Sequence, residues 1–130
     1  MDILAPVDGS DCSFRALGFA IEMADRYDGS VDVVHFAETE SASTDAVVDR
    51  AQRVLDAQDV DADPEVSTDL EPEFRPSDRV GEDILDLVER RGYDHVVMGN
   101  SGAGALERAI LGSAAETVLN ADRVPVTVVP

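Results

Sequence analysis

The sequence predicts an α/β protein built on one open sheet of five parallel strands, with helices on both faces. Two patterns support this prediction. Short valine-rich apolar runs, typical of buried strands, alternate along the chain with segments whose apolar residues recur every three or four positions, as in amphipathic helices. Because a helix separates each predicted strand from the next, we expect parallel pairing through right-handed crossovers. A length of 130 residues fits one domain, at 1–130.

The chain begins with a predicted strand and an amphipathic helix. Residues 2–7 form an apolar run that stops at Asp8, as expected of a short buried strand. A helix is predicted over 11–27, and either Ser10 or Asp11 is placed to cap it. The inward face of this helix is predicted to contain Phe14, Leu17, Ile21 and Ala24.

The middle of the chain repeats the pattern less clearly. Residues 31–36 are rich in valine and predict a second strand, whereas the alternation of residues 66–70 predicts only a weak third one. Thr44 is predicted to cap the helix between them. The inward face of that helix is predicted to contain Val47, Val48, Ala51, Val54 and Leu55.

The last part of the chain contains two predicted helices and two predicted strands. Proline at position 76 is expected to delay the third helix to Ser77. Residues 95–98 predict the fourth strand and residues 124–129 the last one, with a helix at 113–120 between them.

The charge balance excludes several classes of partner. The chain has 28 acidic residues against 10 basic ones, a formal net charge of −18, and all of its cations are arginine. Such a surface repels phosphate backbones and anionic lipids, so nucleic acids and membranes are not expected partners. We interpret the complete lack of lysine and the excess of carboxylates as adaptation to a very salty cytosol, which predicts that molar salt stabilises the fold.

Cysteine content and the N-terminal residues bear on the location of the protein. The chain has one cysteine, Cys12, which excludes an internal disulfide and a cysteine-based zinc site. The apolar start of the chain is too short for a signal peptide and lacks its basic region. We therefore expect a cytoplasmic protein.

The residues that follow the first and fourth strands indicate where a ligand binds. In open parallel sheets, ligands bind beyond the carboxyl ends of the strands, where the strand order reverses. Glycine-rich backbone follows the fourth strand and leads to Gly112-Ser113 at the start of the last helix, where free N–H groups favour an anion. The pattern is neither a Walker motif, which needs a lysine, nor a Rossmann dinucleotide fingerprint, because its glycine spacing differs.

These glycines resemble the ATP-binding motif of the universal stress protein family. Gly99-x-x-Gly102, nine residues and Gly112-Ser113 match the pattern G-2x-G-9x-G-[S/T]. The resemblance covers essentially the whole chain. It extends to Pro6-Val7-Asp8-Gly9-Ser10, Ser13, His35-Phe36, Asp94-x-Val96-Val97-Met98-Gly99, Ala115-Glu116-x-Val118-Leu119 and Val124-Pro125-Val126-x-Val128-Val129.

The resemblance implies a strand order of 3-2-1-4-5 and a nucleotide site between the first and fourth strands. It implies that Pro6, Val7 and Asp8 contact adenine, with Phe36 on the apolar side, and that Met98 and Gly99 lie near the ribose. The phosphates would be lined by Ser101, Gly102, Gly112, Ser113, Ala114 and Ala115. Because the two alanines lack hydroxyls, their contacts to phosphate would come from backbone atoms alone.

The resemblance also implies ligands and a partner. The ligand is ATP or a related adenine nucleotide, with any Mg²⁺ carried by the phosphates. The last strand, Val124 to Val129, is expected to pair with its twin in a homodimer, because an unpaired valine-rich edge tends to associate. Against this, Pro125 and Pro130 are residues that blunt an edge.

Individual residues have structural alternatives to these roles. Asp8 is either a cap of the first helix or an acceptor for the adenine amino group, and Ser113 is a helix cap, with or without a phosphate contact. Cys12 is expected to be a small buried filler. His35 and His95 lack partners at ligand spacing and are interpreted as structural or solvent-facing.

The resemblance implies a nucleotide-dependent regulator of the stress response with at most slow ATP hydrolysis. We find no catalytic set of residues in the sequence and expect no metal site of its own. Two alternatives stay open. One is a nucleotide-free homodimeric module for protein contacts, and the other is an enzyme that attacks the α-phosphate of a nucleotide.

Overall fold

Nine elements alternate along the chain in a computed structural model that describes residues 1–37, 42–68, 76–100 and 111–130. The strands are β1 (Asp2–Pro6), β2 (Ser30–Phe36), β3 (Glu65–Ser67), β4 (His95–Gly99) and β5 (Val126–Val129). The helices are α1 (Asp11–Arg26), α2 (Ala42–Ala57), α3 (Pro76–Arg91) and α4 (Ser113–Asn120). All strand pairs are parallel, and their order is β3-β2-β1-β4-β5, which confirms the predicted sheet.

The sheet divides the core into two clusters because side chains alternate between its faces. Ile3 and Ala5 of β1 pack with the buried faces of α1 and α2, whereas Leu4 packs with α3 and α4 on the other side. Leu17 of α1 and Ile84 of α3 are each completely buried at the centre of their cluster. Helices therefore cover both faces of the sheet, as predicted.

Two predicted boundaries are wrong for identifiable reasons. Thr44 does not cap α2, which already begins at Ala42, and its side chain is only 3% exposed. Thr44 lies three and seven residues before Val47 and Ala51, so it shares their inward stripe. The last strand begins at Val126, because Pro125 has no N–H for the ladder although its carbonyl accepts from Val96 N at 3.0 Å.

The start of α3 and the end of the third strand also differ from the prediction. Helix α3 begins at Pro76, since the first helical residue needs no N–H donor and proline is suited to that position. Strand β3 is limited to three residues and excludes Thr68, while Leu70 lies outside the described residues.

An aspartate follows the end of α1 and of α2 at the position where a glycine is usual, two residues after the last helical residue. Asp28 and Asp59 have φ angles of 54° and 56°. The next residue, Gly29 or Val60, donates back to Ala24 or Leu55 respectively, at 2.8 and 2.9 Å, which is the Schellman pattern. A carboxylate at a helix C-terminus opposes the helix dipole, so this unfavourable interaction is one that salt weakens.

A hydrogen-bonded chain connects the end of α3 to the neighbouring strands β2 and β3. Arg91 donates to both carboxylate oxygens of Glu65, at 2.7 and 2.8 Å, and this pairing holds the pKa of Glu65 below its usual value. Tyr93 is 8% exposed and donates its hydroxyl to Asp32. Burial, reinforced by the bond to Asp32, raises the pKa of Tyr93 to about 12.

Tyr93 is expected to make the protein less stable in alkali. Below about pH 10, the pKa of tyrosine in an unfolded chain, the hydroxyl of Tyr93 is uncharged in both the folded and the unfolded protein. Between about pH 10 and 12 the unfolded chain ionises first, so up to about 2–3 kcal/mol of stability is lost as the pH rises. Denaturant unfolding from pH 8 to 12 should show this loss, and Tyr93→Phe should remove it. Tyr27→Phe, at a 63% exposed position, should leave the profile unchanged.

Within the described residues, no helix combines the length and the apolar character needed to cross a membrane.

Candidate nucleotide-binding site

The candidate site lies at the carboxyl edge of the sheet, where β1 and β4 are neighbours. β1 leads through α1 to β2 on one side, whereas β4 lies on its other side, so the strand order reverses between them. Ile3 and Leu4 align with His95 and Val96, and the ends of both strands therefore meet at the same edge. This is the position at which open α/β sheets bind ligands.

Asp8 lies at the start of the tight turn between β1 and α1. Its Oδ1 atom accepts from the backbone N–H of Ser10 at 2.9 Å and from the Ser10 hydroxyl. Ser10, in turn, is the N-cap of α1 and accepts from Ser13 N at 3.3 Å. The alternative in which Asp8 caps α1 is therefore wrong. Ser10 is the cap, and the carboxylate of Asp8 accepts hydrogen bonds from Ser10.

The backbone on either side of Asp8 is also anchored. Val7 N donates to Val34 O at 3.0 Å, and Val7 O lies 2.7 Å from His35 Nδ1. Since a carbonyl oxygen only accepts, His35 must carry its proton on Nδ1. On the helix side, Asp8 N donates to Ser13 Oγ at 3.3 Å. His35 is thus structural, as interpreted, and so is His95, whose Nε2 lies 2.8 Å from Thr127 Oγ1.

Gly99 brings the end of β4 against the first turn of α1. A Cβ atom at Gly99 would lie 2.6 Å from Cys12 Sγ, 2.9 Å from Ser13 N and 3.0 Å from Cys12 C. The absence of a side chain at Gly99 is therefore explained by packing inside the chain, independently of any ligand. Cys12 is 6% exposed, in agreement with its interpretation as a small buried filler.

The N-terminus of α4 adjoins the end of β4. Asn100 N donates to Val129 O at 2.9 Å, and Asn100 O accepts from the N–H of Gly112. The N-cap of α4 is Gly112, so the expectation that Ser113 caps this helix is wrong: Ser113 is its first residue, and Gly112 offers no side-chain acceptor to the first turn. The helix dipole and its first N–H groups therefore favour an anion at this edge of the sheet.

The candidate residues differ in what they can present to a ligand. The side chains are buried at Pro6, Val7, Met98 and Ala115. At these positions a ligand can therefore reach only backbone atoms at the edge of the sheet. Asp8, Phe36, Gly99, Gly112 and Ala114 are partly exposed, and Ser113 is exposed. Ser101 and Gly102 lie outside the described residues.

Phe36 and Val7 lie over different faces of the sheet. The ring of Phe36 packs against the cluster that contains Met98, on the side of α3 and α4, whereas Val7 belongs to the cluster under α1 and α2. The structure therefore places Phe36 and Met98 on the α3 and α4 side of the sheet and Val7 on the α1 and α2 side. Asp8 directly follows Val7 in the turn that leads to α1.

The described part of the chain holds no group of three or more His, Cys, Asp or Glu residues arranged to bind a metal ion.

The contacts by which Ser13 and His35 hold the backbone around Asp8 were not predicted from the sequence. The spacing of Ser13, three residues after the N-cap, is the one sequence signal that points to its contact with the turn.

Comparisons with known proteins agree with this fold. The family model described as "Universal stress protein family" matches residues 1–130. A curated universal stress protein of Methanocaldococcus jannaschii is 28% identical to this chain, and the alignment covers 98% of this chain and 80% of the relative.

Solved structures show the same architecture. A universal stress protein from Archaeoglobus fulgidus in complex with dAMP aligns with a TM-score of 0.71 and 22% identity, over 100% of this chain and 98% of that one. A universal stress protein in complex with cAMP aligns with a TM-score of 0.74 and 20% identity, over 99% and 95% of the two chains. Because the family model matches all 130 residues, this chain belongs to the universal stress protein family.

Proposed function

We propose that the protein binds ATP or a related adenine nucleotide at the carboxyl edge between β1 and β4, and that it acts as a nucleotide-dependent regulator in the stress response with at most slow hydrolysis. The observation that carries the proposal is the hydrogen bond from Gly112 N to Asn100 O, which puts the N-terminus of α4 beside the end of β4. Two relatives of the same fold were crystallised with adenine nucleotides, dAMP and cAMP.

The proposed roles follow from what each group can donate or accept. The free carboxylate oxygen of Asp8 accepts from the adenine amino group, beside the backbone of Pro6 and Val7. Phe36 supplies apolar contact to the base, and the backbone of Met98 and Gly99 lies near the ribose. The phosphates bind to the first turn of α4 at Ser113 to Ala115 and to Ser101, Gly102 and Gly112.

Mg²⁺ is proposed to arrive with the phosphates. It prefers phosphate oxygens, one or two carboxylates and several waters to a cage made only of protein groups. Nucleotide affinity should therefore depend on Mg²⁺ for the triphosphate, where the charge is greatest, and much less for the monophosphate.

Asp8→Asn is expected to weaken ATP binding at least about tenfold while preserving the turn. Asparagine keeps Oδ1 for Ser10 but replaces the free oxygen by an NH₂ group, which cannot accept from adenine. Calorimetric titration with ATP and GTP in molar salt measures the change. GTP, whose O6 is an acceptor, should bind the variant no worse than the unchanged protein.

Asp11→Asn is the matched control for this experiment. It also removes one carboxylate near the start of α1, but Asp11 is exposed and pairs with Arg50 at 2.9 Å. Equal ATP affinities for the unchanged protein and Asp8→Asn would contradict the role of Asp8. An equal loss in both variants would instead show a general charge effect.

A homodimer through β5 is the second proposed function, supported by the position of that strand. β5 ends the sheet and pairs only with β4 among the described strands. Pro125 O accepts from Val96 N of β4, and Val129 O accepts from Asn100 N, the residue that follows β4. Because successive residues of a strand point their hydrogen-bonding groups to opposite sides, Val126 and Val128 direct theirs to the open edge.

Val128→Pro is expected to convert the dimer into a monomer without unfolding the sheet. Proline removes a donor on the open edge and leaves the ladder with β4 intact, since edge strands tolerate proline at such positions. Light scattering after size-exclusion chromatography measures the mass. Thr127→Pro is the contrasting variant, because it removes a donor that faces β4 and should destabilise the protein itself. A Val128→Pro dimer would contradict pairing through this edge.

A further inference from the structure

We infer that Ser13 is a positioning residue of the nucleotide site: its buried hydroxyl holds the backbone at Asp8 and thereby sets the direction of the carboxylate that selects adenine. This inference rests on the proposed function, and it concerns a residue that does not itself reach the ligand.

The hydroxyl of Ser13 is fully engaged in the turn before α1. Ser13 is 2% exposed, and its Oγ donates to Ser10 O at 2.8 Å while it accepts from Asp8 N at 3.3 Å. One side chain thus connects the peptide group before Asp8 with the one after Ser10, at the two ends of a turn in which Gly9 has a φ of 88°. Without the hydroxyl, Asp8 N would lose its acceptor in the turn, and Ser10 O, which as the carbonyl of the N-cap also accepts from the helix, would lose one of its donors.

The side chain of Asp8 is constrained by the same turn. Its Oδ1 accepts from the N–H and the hydroxyl of Ser10, and the carbonyl of that same Ser10 is the group that Ser13 binds. Movement of Ser10 therefore changes the direction of the Asp8 carboxylate. Ser13 acts on this carboxylate twice, through the backbone of Asp8 and through the position of Ser10.

Packing alone does not account for a serine at this position. Ala16 and Ala20, three and seven residues further along α1, lie on the same buried face and are completely buried. An alanine at position 13 would fit this row of small buried residues and would avoid burying a polar group. The hydroxyl is thus explained by the hydrogen bonds it makes to the turn.

A second anchor acts from the other side of the turn. His35 Nδ1 donates to Val7 O at 2.7 Å, so the peptide group between Val7 and Asp8 is bonded at its carbonyl by β2 and at its N–H by α1. This peptide group is held at both ends by side chains, and Ser13 supplies the contact from the helix that carries the turn.

Ser13→Ala is the variant that tests the inference, with ATP and GTP titrated by calorimetry in molar salt. We expect ATP to bind about five- to tenfold more weakly, the loss of one hydrogen bond that orients the acceptor, while GTP affinity changes little. The ratio of the two affinities should therefore fall. Ser13→Thr, which keeps the hydroxyl, should restore the ratio even where the extra methyl lowers stability.

Ala20→Gly is the control for stability. It weakens the same helix by at least about 1 kcal/mol, because a buried methyl group is lost as well, and it should leave the ratio of ATP to GTP affinity unchanged because it does not touch the turn. In the nucleotide-free protein, Ser13→Ala should also speed hydrogen exchange of the Asp8 amide, measured by NMR, whereas Ala20→Gly should not do so selectively.

The outcomes separate this inference from the proposed function. If the unchanged protein binds ATP selectively and Ser13→Ala keeps both the affinity ratio and the protection of the Asp8 amide, the positioning role is overturned and the proposed function stands. If Ala20→Gly lowers the ratio as much as Ser13→Ala, the effect is one of stability and the inference again fails. If the unchanged protein does not bind ATP, the proposed function fails, and the positioning role fails with it.

Discussion

Replacing Gly99 by alanine is expected to destabilise the protein by about 2–3 kcal/mol, the cost of forcing an extra atom into a close-packed contact. The added Cβ would lie 2.6 Å from Cys12 Sγ and within 3.0 Å of two backbone atoms, Ser13 N and Cys12 C. Backbone atoms cannot rotate away, so β4 and the first turn of α1 must separate. Because Ser13 in that helical turn binds the backbone of Asp8, and β4 leads to the proposed phosphate side, ATP affinity should fall as well.

A double-mutant cycle identifies the contact. Cys12→Ala removes the sulfur that lies nearest to the new Cβ, so the Gly99→Ala substitution should cost less in that background but should still cost something, because the two backbone contacts stay. Urea unfolding of the four proteins gives the coupling energy. A cost of Gly99→Ala below about 0.5 kcal/mol, the level of a neutral surface change, would show that β4 and α1 are not in contact as described.

Two helical glycines are expected to respond in opposite ways to the same substitution. Gly81 of α3 faces α4, and a Cβ there would lie 2.6 Å from Thr117 Cβ and 3.2 Å from Ala114 O. Gly18 of α1 has nothing within 4 Å of the corresponding position. Since alanine favours a helix over glycine by about 1 kcal/mol at either site, the difference between the two variants reports the packing at Gly81.

Gly18→Ala should raise the free energy of unfolding by about 0.5–1 kcal/mol, whereas Gly81→Ala should lower it by about 1–3 kcal/mol. Displacement of α4 by Gly81→Ala should also weaken ATP binding, because Ala114 belongs to the turn proposed to hold the phosphates. Unfolding in urea and calorimetry measure the two effects. A stabilising Gly81→Ala would mean that α3 and α4 are further apart than the structure has them.

Much of the fold was predictable because its signals are local and repeated. The period of the apolar residues located all nine elements, and Ser113 to Asn120 was located to the residue because glycine precedes the helix and its apolar spacing stops there. Thr44 was misread because a threonine before an apolar run has the same appearance as a cap or as the first inward residue of a helix. Only the burial of its side chain distinguishes the two.

The candidate site was predictable in position but not in its internal connections. The ends of β1 and β4 could be singled out from glycine and aspartate alone, whereas the strand order came from the resemblance to a family. The bonds of Ser13 to Asp8 and of His35 to Val7 depend on how α1 and β2 are placed in space. Likewise, Gly99 was assigned to the ribose, whereas its contacts in the chain are with Cys12 and Ser13.

The central claim is that the carboxyl edge between β1 and β4 binds an adenine nucleotide, and calorimetric titration of the full chain with ATP and Mg²⁺ in molar salt tests it most directly. We expect saturable binding of one nucleotide per chain, lost in Gly102→Leu while the oligomeric state is unchanged. No heat of binding up to millimolar ATP, or binding that Gly102→Leu leaves intact, would contradict the claim.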